Sequence, residues 1–220
     1  MKQNKLLVLL TLVAVVLIVA VVVMLNQPKD QAETATKGEH VSTDGQPTIG
    51  DADAPVSIVE FGDYKCPSCK QWGETIYPQL KADYIDTGKA SFSYINVLFH
   101  GQESILAALA SESVYVQDPD SFWDFHKAIY DAQPASQNHD EAWVTVERLT
   151  EIAAATTSVD VAQLETDLSE NSSVLEQVSH DDGLVKENDV RLTPTIMING
   201  VVLDNPFDYD MIKRLIENDL

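Results

Sequence analysis

Cysteine is nearly absent from this sequence: Cys66 and Cys69 are the only two in 220 residues. An all-cysteine zinc site is therefore excluded, because no second pair exists to complete the tetrahedron. A mixed cysteine–histidine site lacks its pattern, since His40, His100, His126, His139 and His180 are scattered without the short His-to-His spacing. Basic residues are scarce as well. With 14 Lys and Arg against 35 Asp and Glu, the net charge is −21, and nucleic acid, which is bound through phosphate-neutralising cations, is excluded as a partner. That acidity reads as a solvated face suited to saline or alkaline surroundings, with a calcium site as the less common use of so many carboxylates. No repeat or low-complexity block interrupts residues 47–220, which suffice for one domain with a real core.

What is present is a dithiol in a particular setting. Residues 56–71 read V-S-I-V-E-F-G-D-Y-K-C-P-S-C-K-Q. Val56, Ile58 and Val59 predict a strand, Gly62-Asp63 breaks it, and a helix restarts with Cys66, Pro67, Ser68 and Cys69 in its first turn. Proline is tolerated there, where its missing N–H would have had no partner. Cys66 then sits at the positive end of a helix, where unpaired backbone N–H groups favour a thiolate, and Lys65 and Lys70 add positive charge. A disulfide closing so small a loop would stabilise the fold little, so the pattern points to redox chemistry.

The remaining elements follow from periodicity. A helix from Cys66 to about Tyr84 carries Trp72, Ile76, Leu80 and Tyr84 on one stripe, kinked at Pro78. Ala90 to Phe99 predicts a second strand, parallel to the first through a right-handed crossover. Helices are expected over residues 103–116 and from 121, from 139, after a 158–160 cap, and from a Ser172-Ser173 cap to about Asn188. A strand over 190–198, an Asn199-Gly200 turn and a return over 201–203 form a hairpin, and residues 208–218 close the chain as a helix. The fold class is α/β, a mixed sheet flanked by helices with a helical block inserted in mid-sequence.

Ahead of this domain, Leu6 to Leu25 is apolar apart from Thr11 and follows Lys2 and Lys5. Its length matches the ~20 residues of a membrane-spanning helix and exceeds the ~7–15 of a signal-peptide core, and no small-x-small cleavage site ends it. The expectation is an uncleaved anchor over 1–25, with the N-terminus cytoplasmic and the catalytic domain outside the cell membrane. Residues 26–46, polar and free of aromatics, read as a flexible tether of very roughly 25 Å reach.

Glu60-Phe61 followed by Cys66-Pro67-x-Cys69, together with Thr193-Pro194-Thr195, resembles the DsbA branch of the thioredoxin superfamily. The runs F-G-D-Y-K-C-P-S-C-K, F-H-G and D-P-D-S-F-W-D-F-H resemble more narrowly the membrane-tethered BdbD type of Gram-positive bacteria. The resemblance implies a thioredoxin fold over 47–100 and 176–220, with 101–175 an inserted helical subdomain. It implies a disulfide-forming oxidase of unfolded exported proteins, reoxidised by a quinone-linked membrane partner of the DsbB/BdbC kind and needing no cofactor for the exchange. Cys66 corresponds to the exposed nucleophile and Cys69 to its buried partner. Pro194 corresponds to a cis-proline against the dithiol, Thr193 presents backbone to substrate, and Pro67 and Ser68 share that substrate-facing turn. Glu60 corresponds to a buried carboxylate that exchanges a proton with Cys69, although pleat geometry alone allows it either face. Strong oxidases of this branch carry histidine where Ser68 stands, so Ser68 offers a hydroxyl instead. Relatives of the narrower type also imply structural calcium, with Gln46, Glu112 and Asp181 as donors. Two other readings of the residues stay open: a disulfide reductase or isomerase, and a tethered non-catalytic binding module or chaperone.

Overall fold

The computed structural model describes residues 36–37, 40–135, 142–169 and 172–220, all within one compact unit, Ala35–Leu220. Its strands are β1 (Thr36–Lys37), β2 (Thr48–Gly50), β3 (Val56–Gly62), β4 (Ala90–Asn96), β5 (Thr195–Ile198) and β6 (Val201–Val202). They form one mixed sheet in the order β1-β6-β5-β3-β4-β2. β3 runs parallel to β4 and antiparallel to β5, and β5 and β6 form the expected hairpin. Asn199 and Gly200 both take positive φ, 47° and 76°, the requirement of the two-residue turn whose twist matches the strands.

β3 is central and its side chains are buried on both sides, which explains its near-continuous apolar run. Its alternation divides the core. Val56, Ile58, Phe92, Ile196 and Ile198 pack with Trp72, Ile76, Leu80 and Ile212 on one face. Val59, Phe61, Ile95 and Met197 pack with Leu184 and Val185 on the other. The first face is covered by α1 (Pro67–Thr75), α2 (Tyr77–Leu80), a wide π turn (Lys81–Ile85) and the closing α8 (Tyr209–Asn218). The expected stripe Trp72, Ile76, Leu80 and Tyr84 is buried throughout. The break falls at Ile76, and Pro78 lies in the first turn of α2, where its missing N–H is harmless.

Between β4 and β5 the described elements are helical: α3 (Gln102–Gln117), α4 (Phe122–Asp131), α5 (Val146–Thr156), α6 (Val161–Asp167) and α7 (Leu175–Glu187). Phe122, Phe125, Ile129, Leu149 and Leu164 make a core of their own, which reaches Cys69 and Tyr94 of the sheet side. Two helix starts differ from expectation. α5 begins after Thr145, whose side chain caps Arg148 N–H; the expected start at His139-Asp140 lies outside the described residues, and Val146 is exposed. α7 begins after Val174, because Ser173 is drawn to Asp167, its hydroxyl donating at 2.8 Å, and does not cap the helix.

The expected anchor 1–25 and most of the tether lie outside the described residues. The expectation of a membrane-anchored location is corrected: no helix among the described residues is long and apolar enough to cross a membrane. The longest, α3, has 16 residues, about 24 Å at 1.5 Å per residue, against a ~30 Å hydrocarbon core. The end of the expected tether is part of the fold. Thr36–Lys37 pairs with β6, and Val41 and Gln46 are buried.

Candidate active site

β3 ends at Gly62, where the chain must pass close to its neighbours: a Cβ there would lie 2.5 Å from the Tyr94 ring and 3.1 Å from Glu60 Oε1. Glycine is thus required for the approach. Asp63 then turns the chain. Its carbonyl accepts the Cys66 N–H at 2.9 Å. Its buried carboxylate accepts from Lys65 N–H, Phe99 N–H and Ser104 Oγ, and pairs with His100 Nδ1 at 2.8 Å. That last bond raises the His100 pKa. Gln133 Nε2 donates to the carbonyls of Tyr64 at 2.7 Å and Cys66 at 3.2 Å, so α3 and the turn after α4 both grip the loop before the dithiol.

Cys66 is the residue preceding the first turn of α1, with Pro67 opening the helix. Cys66 and Cys69 are free thiols here, 6% and 0% exposed, so the first is more enclosed than the resemblance implies. The Cys66 thiol donates to the Thr193 carbonyl at 3.4 Å, and the Thr193–Pro194 peptide is cis. Once ionised, Cys66 is favoured by hydrogen bonds from the Cys69 thiol first, then Thr193 and the backbone N–H groups of Cys69 and Ser68. These outweigh the opposing burial and bring its pKa down to about 5. Ser68 itself is exposed and contributes through its backbone. Lys65 is not the counter-charge expected from its position. Its ammonium is buried and pairs with Glu103, whose other oxygen accepts from Trp143 and Val144 N–H.

Cys69 is opposite in character. Burial, the hydrogen bond to Cys66 and the negative charges of Cys66 and Glu60 push its pKa well up. Glu60 faces inward. It is 3% exposed, stands between Tyr94 and Ile196 in the sheet register, and its Oε1 has no hydrogen-bond partner. Burial, then the Cys66 charge, raises its pKa, which favours the protonated carboxyl. His126, buried against Tyr64 (Nδ1 to OH 2.9 Å), is pushed down to about 3 by burial and is neutral.

Cys66, Cys69, Glu60, Thr193 and Pro194 are therefore gathered at one place, with Pro67 and Ser68 on the turn. Sequence reasoning missed Asp63, His100, Gln133 and Glu103. Asp63 carried a faint signal, an acid directly after the strand-breaking glycine; Gln133 carried none.

Gln46, Glu112 and Asp181 lie apart from the dithiol and are brought together by Asn96. Asn96 Nδ2 donates to Glu112 Oε1 at 2.8 Å and Asp181 Oδ2 at 2.9 Å, and Gln46 Nε2 to Asp181 Oδ1 at 2.7 Å. Burial raises both carboxyls, and the Asp181 charge raises Glu112 further. Gln46 Oε1 is left unpartnered. Among the described residues, no group of three or more His, Cys, Asp or Glu side chains is placed to hold a metal.

A family model of the thioredoxins matches residues 42–218. Disulfide bond formation protein D of Bacillus subtilis is 44% identical over 89% of this chain and 86% of its own. A probable disulfide bond formation protein D of Bacillus anthracis is 37% identical over 94% and 92%. Among solved structures, oxidised BdbD from Bacillus subtilis superposes with a TM-score of 0.79 at 45% identity, covering 84% of this chain and 97% of its own. DsbA from Chlamydia trachomatis, at 24% identity and a TM-score of 0.67 over 87% and 96%, shares the fold. With a dithiol at a helix N-terminus on this sheet, the chain belongs to the thioredoxin family, among its disulfide-forming thiol:disulfide oxidoreductases.

Proposed function

We propose that this protein oxidises pairs of cysteine thiols in unfolded exported proteins, with Cys66 as the attacked and departing sulfur. The observation that carries the reading is the contrast between the two thiols: Cys66 down to about 5, Cys69 raised. A substrate thiolate attacks Cys66 in the Cys66–Cys69 bridge, giving a mixed disulfide and releasing Cys69. Cys69 is a poor leaving group as a thiolate, because leaving is faster from a low-pKa sulfur. Glu60, whose pKa burial raises, supplies the proton it takes up. A second substrate thiolate then attacks the substrate sulfur, and Cys66 departs readily as a stabilised thiolate. Two electrons have moved from the substrate dithiol to the enzyme disulfide, which is now the dithiol, and the substrate leaves with one disulfide. Thr193 and Pro194, against Cys66, present the backbone that an extended substrate meets, beside Pro67 and Ser68. Reoxidation then falls to a quinone-linked membrane protein of the DsbB/BdbC kind. The helices of 101–175, with their separate core, act as an inserted subdomain that holds the loop before Cys66 through Glu103 and Gln133.

A reductase would need a disulfide that is harder to reduce, and a low Cys66 pKa works against that; an isomerase would leave the number of substrate thiols unchanged. The discriminating experiment mixes the oxidised protein with a reduced, denatured cysteine protein and counts thiols after acid quenching. One substrate disulfide should appear per enzyme disulfide consumed. Unchanged substrate thiols, or net reduction of substrate disulfides, would contradict the reading.

Calcium would be held by Gln46, Glu112 and Asp181, where its charge would offset two buried carboxyls that repel each other when ionised. The unpartnered Gln46 oxygen supports the fit. Calcium at a hundredfold excess over its dissociation constant should stabilise chelator-treated protein by about 2.7 kcal/mol, read as a raised melting temperature. Magnesium at equal ionic strength should give a much smaller shift; equal shifts would reduce the effect to screening.

A further inference from the structure

The exchange steps leave His100 unused, yet its imidazole is built into the loop that presents Cys66. Its Nδ1 pairs with the Asp63 carboxylate at 2.8 Å, and its backbone N–H donates to Ser104 Oγ at 3.0 Å. Asp63 also holds the nucleophile's backbone, since its carbonyl accepts the Cys66 N–H at 2.9 Å. One residue therefore fixes both the imidazole and the cysteine. Satisfying Asp63 does not require a histidine. Lys65 N–H, Phe99 N–H and Ser104 Oγ already donate to that buried carboxylate. What the imidazole adds is a titratable positive charge. Its side chain is 24% exposed, so its proton exchanges with solvent.

We propose that the His100 imidazolium, fixed by Asp63, is a positioning residue for the exchange: its charge favours the Cys66 thiolate and makes the disulfide more oxidising. This role rests on the reading of Cys66 as the thiolate-forming sulfur. Asp63 and the Cys66 charge hold the His100 proton in place, against burial and the Lys65 ammonium. Lys65 is itself paired with Glu103 of α3. The charges facing the imidazole are thus Asp63, Cys66, Lys65 and, through Lys65, Glu103. Attraction between two charges acts equally on both titrations, so an imidazolium stabilised by the thiolate stabilises the thiolate in return. Reduction creates that negative charge: two electrons and one proton turn the disulfide into a Cys66 thiolate and a Cys69 thiol. The His100 proton is then bound more tightly in the reduced protein than in the oxidised one. Each tenfold difference in its affinity is a tenfold change in the redox equilibrium, about 29.6 mV. Because the His100 pKa is raised, the charge is present below that raised value and lost as pH rises through it.

The test follows the His100 imidazole by NMR titration of the full-length protein, reduced and oxidised, with its signal assigned by loss in His100→Gln. A higher midpoint is expected in the reduced form, by roughly threefold in proton affinity, the scale of a part-exposed charge pair. Equal midpoints would overturn the proposal. His100→Gln keeps a donor for Asp63 and removes the charge. Against glutathione it should be less oxidising than wild type below the His100 midpoint, by the same factor, and match wild type above it. His100→Lys, charged throughout, should stay more oxidising than wild type above the midpoint. A deficit in His100→Gln that is equal at every pH would mark a structural role and sink the proposal. Thiolate absorbance separates the two levels of the reading. A Cys66 that titrates well below the ordinary thiol range, with equal His100 midpoints, removes the role of His100 alone. Absence of a thiolate at neutral pH removes the assignment of Cys66 as well.

Discussion

Cys69→Ala is expected to accumulate covalent complexes with cysteine-containing proteins, and Cys66→Ala to form none. Cys66 carries the mixed disulfide, and Cys69 is the enzyme group able to resolve it, so removing Cys69 leaves escape only through a second substrate thiol. Non-reducing gels and mass spectrometry of the adducts read the result. Oxidation of substrate by Cys66→Ala should fall by at least roughly a thousandfold, the scale on which loss of a covalent nucleophile is felt. Adducts from Cys66→Ala but none from Cys69→Ala would reverse the assignment of the two sulfurs. The helix-terminus argument would fall with it.

The reduced protein is expected to be more stable than the oxidised one, by a margin that widens with pH. Folding lowers the Cys66 pKa from 9.0 to about 5, so its contribution is absent below about pH 5 and grows as pH rises towards 9. At pH 7 it reaches at most about 3 kcal/mol. Cys69, whose pKa folding raises, opposes further gain only above the ordinary thiol range. Glu60 is common to both forms and cancels, apart from the share of its shift due to the Cys66 charge. The oxidised protein has neither thiol and lacks this dependence. Denaturant midpoints of both forms between pH 5 and 9 measure it. A constant gap, or a more stable oxidised form, would contradict the pKa assignment.

The sheet centre and its dithiol were legible because each is written locally. β3 needs only its β-branched run, the α1 start its Cys-Pro, and the hairpin its Asn199-Gly200. The stripe Trp72, Ile76, Leu80 and Tyr84 stays buried across the helix break at Ile76 and into the π turn. β1 and β2 were not legible. Two and three residues carry no alternation, and they are strands only because β6 and β4 offer free edges. Within the site, Glu60 could not be turned inward by periodicity, since either pleat face was open to it; only the register beside Tyr94 and Ile196 decides. Lys65 misled for the opposite reason. Sequence adjacency placed a cation beside the nucleophile, while the fold sends its side chain to Glu103, 38 positions away. The thiolate is instead sustained by local hydrogen bonds, the one from Cys69 foremost, which no composition reveals.

The equilibrium of Cys66–Cys69 against reduced and oxidised glutathione tests the central claim most directly. A thiolate this strongly favoured stabilises the reduced state and makes the disulfide oxidising. The potential should lie well above the ~−270 mV of thioredoxin, towards the ~−120 mV of DsbA. A value at or below that of thioredoxin would mean that the couple gives electrons to its partners, and that this site does not make disulfides.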